Sequence, residues 1–135
     1  MIADIRRAIA NKLKELYPDY KRHVDDIPQN FKKPSFVIFS IDQDYSKRLA
    51  AKYRGRISFD IAYFSDKPIP EIKSDCLAVQ EILLREFDTF GTFKAINKNA
   101  RITDNVLHMT FDVNYSEMIF KPQVSMQTQT TNTNI

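Results

Sequence analysis

The sequence predicts an α+β domain: a four-stranded antiparallel sheet with helices packed on one face. Three observations predict it. Two stretches repeat apolar residues at steps of three and four, several others alternate apolar with polar, and the order along the chain is helix, two strands, helix, two strands. At 135 residues, 43% of them hydrophobic, the chain has material for one core.

The first helix is carried by Ile2, Ile5, Ile9, Leu13 and Leu16, with Arg6, Arg7, Asn11, Lys12 and Lys14 on its other sides. Pro18 ends it, since proline has no amide hydrogen to continue the ladder. A short extended piece around Lys21–Val24 follows, then a loop over Asp25–Pro34 punctuated by Pro28 and Pro34. Ser35–Asp44 is a strand whose two faces both begin apolar, which predicts a place inside the sheet. Tyr45–Lys52 is polar enough for either a long hairpin loop or a strand extension.

Tyr53–Phe64 is the clearest strand. Tyr53, Ile57, Phe59, Ile61 and Tyr63 alternate with Arg54, Arg56, Ser58 and Asp60, so Phe59 is expected in the core. Pro68 and Pro70 open the second helix, whose stripe is Ile72, Cys76, Val79, Leu83 and Phe87; Gly91 is its expected stop. Thr92–Thr103 reads as a strand broken near Lys98–Asn99. Asp104-Asn105 is a turn, and Val106–Tyr115 returns as the last strand. Residues 1–120 are expected to form the single domain. Residues 121–135 are expected to be a disordered tail, because from Gln123 the chain is mostly Ser, Gln, Thr and Asn and has too little apolar surface to offset the entropy of ordering.

Composition narrows the chemistry. The two glycines cannot build a phosphate-cradling loop, and no apolar run is long enough to span a membrane. The N-terminus lacks the apolar core of a signal peptide, and the single Cys76 allows no intrachain disulfide, which suits a reducing compartment. Asp60 with Glu71-Ile72-Lys73 superficially matches the acids and lysine of a metal-dependent nuclease, but Glu71 sits where an acid favours the positive end of a helix. His23 and His108 have no second ligand at metal-binding spacing, and Cys76 falls on an apolar stripe. No enzyme and no cofactor is expected.

The net charge of +3 is uneven. Residues 1–60 hold 13 Lys/Arg against 8 Asp/Glu, and residues 61–135 hold 7 against 9. A basic half attracts nucleic acid or meets the acidic half of another copy. Arg54 and Arg56 on one strand face, with Lys32 and Lys33 beside Phe31, keep a small nucleic-acid-binding module as the alternative reading. The glycine–aromatic signature of an RNA-recognition sheet is missing.

The helix ending in Tyr17-Pro18, followed by Gln29-Asn30-Phe31-Lys32-Lys33-Pro34-Ser35-Phe36, resembles the opening of the tail terminator family of long-tailed bacteriophages and prophages. That pattern runs Gln-Gly-Phe-basic-Arg-Pro-x-Phe into the first strand. Gln29, Phe31, Pro34 and Phe36 match; Asn30 stands for the usual Gly, a change that Asn's tolerance of left-handed backbone makes mild, and Lys33 for the usual Arg. The likeness continues through Arg56–Phe64 and Leu107–Phe111 and covers roughly residues 2–115.

The resemblance implies a structural virion protein: a subunit of a homohexameric ring that caps the tail tube, stops tube polymerisation and provides the head-joining surface. Its implied partners are itself, the tail tube protein and a head-side connector or stopper protein. No membrane and no sequence-specific nucleic acid is among them. Its place would be the phage tail, reached from the host cytoplasm during assembly. The candidate subunit or tube interface is Gln29, Phe31, Lys32, Lys33, Arg54 and Arg56. Phe31 is either a contact residue or a plug beneath its own loop.

Overall fold

The computed structural model describes residues 2–47 and 52–118. The expected domain boundary at residue 120 and the expected disordered tail, residues 121–135, lie outside them. The elements are α1 (Ile2–Leu16), β1 (Lys21–Val24), β2 (Ser35–Lys47), β3 (Lys52–Phe64), α2 (Ile69–Glu86), β4 (Thr89–Phe90), β5 (Phe93–Lys94), β6 (Ile96–Thr103) and β7 (Val106–Met118).

The main sheet is mixed and has five strands, ordered β1-β2-β3-β7-β6, which corrects the expected four-stranded antiparallel sheet. The extra strand is Lys21–Val24, parallel to the start of β2 through Lys21↔Ser35 to Val24↔Ile38. Four residues with one apolar side chain are too few to show a two-residue period, so its strand character comes from the partner it joins. The other pairings are antiparallel, as expected.

Both helices lie on one face. Ile5, Ile9 and Leu13 of α1 and Cys76, Val79 and Leu83 of α2 are buried against Phe36, Ile38, Ile57, Phe59, Ile61, Tyr63, Leu107, Met109 and Phe111. Phe59 is fully buried, with its ring centroid 5.8 Å from that of Phe111. The alternation in β3 thus sorts the two faces as its sequence predicts. Cys76 is a buried free thiol, and burial raises its pKa.

Gly91 does not stop α2. The helix ends at Glu86, and the Phe87 N–H closes the last turn on the Leu83 carbonyl. Gly91 instead takes φ +61° in the tight turn between β4 and β5, a small second sheet that covers the core with Phe90. The expected break in the next strand is real: pairing with β7 shifts between Ile96 and Asn99, with Asn97 left-handed. Asp104 and Asn105 are both left-handed, as a two-residue hairpin turn requires. Asn30 is not left-handed, so its substitution for Gly makes no such demand; in that part of the chain Asp25 is.

Strands β2, β3 and β7 each run 13 residues, longer than the helices can cover. Of Tyr45–Lys52, residues 45–47 extend β2 and Lys52 begins β3, while residues 48–51 lie outside the described set. Burial along β2 passes from Ser35–Ile38, all buried, to residues 41–47, all exposed. The three long strands thus project beyond the helical layer as an arm.

Candidate functional site

The six residues singled out from the sequence form two groups. Gln29, Phe31, Lys32 and Lys33 lie in the loop before β2; Arg54 and Arg56 lie on β3 near the arm end. Phe31 packs edge-on against Phe64, centroids 4.9 Å apart, whereas Arg54 is ten positions back along the same strand. At about 3.3 Å per residue the groups are roughly 30 Å apart. They make two patches.

In the loop, Phe31 is half-buried, with centroids 5.7 Å from His23 and 4.9 Å from Phe64. It caps the sheet face that carries no helix, beside buried Val37 and Ala62. Gln29, Lys32 and Lys33 stay exposed around it, and the Lys32 carbonyl accepts the Ser35 hydroxyl. The Lys33–Pro34 bond is cis. Phe31 acts as a plug, and the polar and basic groups around it form the surface.

At the arm, Arg56 is surrounded by acids. Its guanidinium binds Asp44 and lies 3.9 Å from both Asp42 and Asp112. Burial works to raise the Asp112 pKa, but hydrogen bonds from Ser58 and Asn97 and the charge of Arg56 outweigh it and hold the carboxyl below its usual value. Next along the same face, His108 Nδ1 lies 3.0 Å from Asp60. Of the two arginines that motivated the nucleic-acid reading, Arg56 is thus spent within its own sheet, and Arg54 stays exposed.

Nuclease chemistry is not assembled either. Asp60 faces away from the helices and pairs with His108, while Glu71 is exposed in the first turn of α2, on the helical side. Among the described residues no group of three or more His, Cys, Asp or Glu is placed to hold a metal ion, and no helix is long and apolar enough to cross a membrane.

The helix-side face of the arm holds a cluster that the sequence reading passed over. Tyr45 stacks on Tyr53 with centroids 5.3 Å apart and lies 6.4 Å from Tyr115. The Gln43 amide donates to the Tyr115 hydroxyl at 2.8 Å, and the Tyr45 hydroxyl donates to Glu117 at 2.7 Å. That last bond pushes the Tyr45 pKa up to about 12. Between them Gly55 sits directly under Tyr115: a Cβ there would lie 2.2 Å from the ring. An aromatic ring laid over a strand glycine replaces the packing the glycine lacks. The signal was available in the sequence, as a glycine on the apolar side of an alternating strand marks a close approach.

The sequence profile of a family described as phage tail terminator protein matches residues 4–125. The chain belongs to the phage tail terminator family. The match runs through both candidate patches and the tyrosine cluster. Membership gives the chain a structural role in the phage tail and agrees with the resemblance seen in Gln29–Phe36. No curated protein matches the chain. Solved structures similar to it include one that shares 13% identity over 88% of this chain and 96% of that chain, with a TM-score of 0.34. A likeness that distant bears no weight for fold or function.

Proposed function

We propose that this tail terminator subunit closes into a homohexameric ring on the end of the tail tube, blocks further tube polymerisation and offers its other face to a head-side connector or stopper protein. Family membership carries this reading. The separation of the two candidate patches is compatible with it, because one end of the subunit can then face the tube while the other faces the head-side partner. The Gln29–Lys33 loop and the Arg54–Arg56 end of β3 are the proposed subunit or tube contacts. The action is steric: one ring face complements the last tube ring, and the other cannot accept another. The ring forms in the host cytoplasm and stays in the virion, whether the genes belong to a phage or a prophage, and no nucleic-acid sequence is read.

Purified tail tubes of the same phage provide the test. Added protein is expected at tube ends in negative-stain micrographs, where it stops elongation by free tube protein. Binding along DNA with a steep salt dependence, and none at tube ends, would reject the reading in favour of the nucleic-acid module.

A further inference from the structure

The arm has two open edges, and the fold ends the pairing on both by the same kind of device. On one side β1 stops at Val24. Asp25 turns left-handed at φ 58°, donates its N–H to the Ile38 carbonyl and accepts the Ser40 N–H on its carboxylate at 3.1 Å. Arg6 of α1 holds that carboxylate at 2.7 Å. On the other side β6 starts at Ile96, opposite Asp112. Asn97 turns left-handed at φ 54°, and its amide binds the Asp112 carboxylate at 3.0 Å. Beyond these two points, residues 42–47 of β2 and 113–118 of β7 have no strand on their outer sides among the described residues.

The two free edges match. They stand at the same height, since Asp42 and Asp112 both pair with Ser58, Tyr45 and Tyr115 with Gly55, and Lys47 and Glu117 with Tyr53. They run in the same direction, because each is antiparallel to β3. Neither stretch contains a proline, so no backbone donor is missing from either. Long unpaired edges are ordinarily shortened, covered or interrupted because they recruit other strands.

We propose that the occupant of each edge is a second copy of this chain: residues 42–47 of one subunit pair in parallel with residues 113–118 of the next, joining the arms into one continuous sheet around the ring. Edges of equal height and common direction are what rotation about an axis can superimpose without a shift along it. Pairing satisfies the backbone groups on both edges by strand addition. It also brings a neighbouring strand beside Tyr45, 46% exposed. Closing the sheet this way puts the bulkier helical layer on the outside of the curve. The inference rests on the ring reading above.

Paired cysteines test it. Ser46 and Ser116 both lie opposite Arg54, one strand away on either side, and both are exposed. Within one chain they are separated by two strand spacings, about 9.5 Å, beyond the ~7 Å limit for a disulfide. Thiols introduced by Ser46→Cys with Ser116→Cys, or with Asn114→Cys to allow for tilt of the strands, therefore join only across subunits. The full-length variants are assembled on tail-tube ends, oxidised and run on non-reducing gels. Expected is a ladder of covalent multimers that stops at the ring size, with none from any of the three single substitutions, which keep only the buried Cys76 beside the new thiol. Rings visible at tube ends but no ladder from either pair would overturn the edge pairing and leave the ring reading standing. Absence of rings from the wild-type protein on tube ends would overturn both.

Discussion

At the covered end of the sheet, Tyr63 is fully buried, its ring lies 5.2 Å from Phe36 and 5.9 Å from Tyr20, and its hydroxyl donates to Asp75 of α2 at 2.7 Å. At the arm, Tyr45 is 46% exposed, stacked on Tyr53, with its hydroxyl on Glu117. Both clusters join tyrosine rings to a carboxylate. At the first, two helices exclude water, so the contacts hold the fold together. At the second, Tyr115 is buried beside Ile2 and Ala3 at the start of α1, but Tyr45 stays largely open to solvent, and its contacts shape a surface. Burial sets what a side chain is worth, and it divides this small protein into an end that holds the fold together and an end that mainly shapes a surface.

Truncating one aromatic at each end should give the sharpest contrast. Phe59→Ala removes a fully buried ring packed on Phe111 and should cost about 3–5 kcal/mol in urea denaturation. Tyr53→Ala on the half-buried arm should cost roughly 1 kcal/mol or less. Equal losses would break the division, since the arm would then belong to the folding core. Removing only the hydroxyl at the covered end should be intermediate. Tyr63→Phe leaves Asp75 with only the Ser65 hydroxyl of its two donors and should cost about 1–2 kcal/mol.

Much of the covered end was legible in the sequence. The stripes of α1 and α2 and the alternation of β3 are periodic signals, and a periodic signal reports which side of an element meets a core. For Phe31 the sequence left a contact residue and a plug both open, and only the position of Phe64 beneath the loop shows how its ring packs. What escaped depends on partners distant in sequence. Lys21–Val24 is a strand only because β2 presents an edge to it. Arg56 looked like a free basic group because the acids that hold it come from two other strands. The tyrosine cluster draws on positions 45, 53 and 115, which only the pairing register brings together.

Gly55 offers a finer test of the arm. Gly55→Ala puts a methyl group into the Tyr115 ring, which must swing away and give up its bond from Gln43. The expected cost is about 1 kcal/mol, the size of one hydrogen bond with its local packing. In a Tyr115→Ala background the same substitution should be neutral or slightly stabilising, since alanine loses less backbone freedom than glycine on ordering. The double-mutant cycle should therefore show coupling between the two positions. Simple additivity would mean that Tyr115 does not lie over Gly55.

The smallest expected effect is spectroscopic. Tyr45 is held protonated by its bond to Glu117, and its pKa is pushed up to about 12 from the usual 10. A value above the ordinary one means the contact favours the folded arm fully below about pH 10 and fades as the pH rises towards 12. No change in behaviour is therefore expected near neutrality. Tyr17 and Tyr63 are also shifted upward by burial, so the signal to follow is the difference between the wild-type and Tyr45→Phe tyrosinate titrations, which should isolate a late-ionising component. Glu117→Gln should move that component back towards the ordinary value, because the hydrogen bond to the carboxylate is the largest cause of the shift. If the wild-type protein and Glu117→Gln titrate identically, Tyr45 does not bond Glu117. The rings would then be oriented by stacking alone.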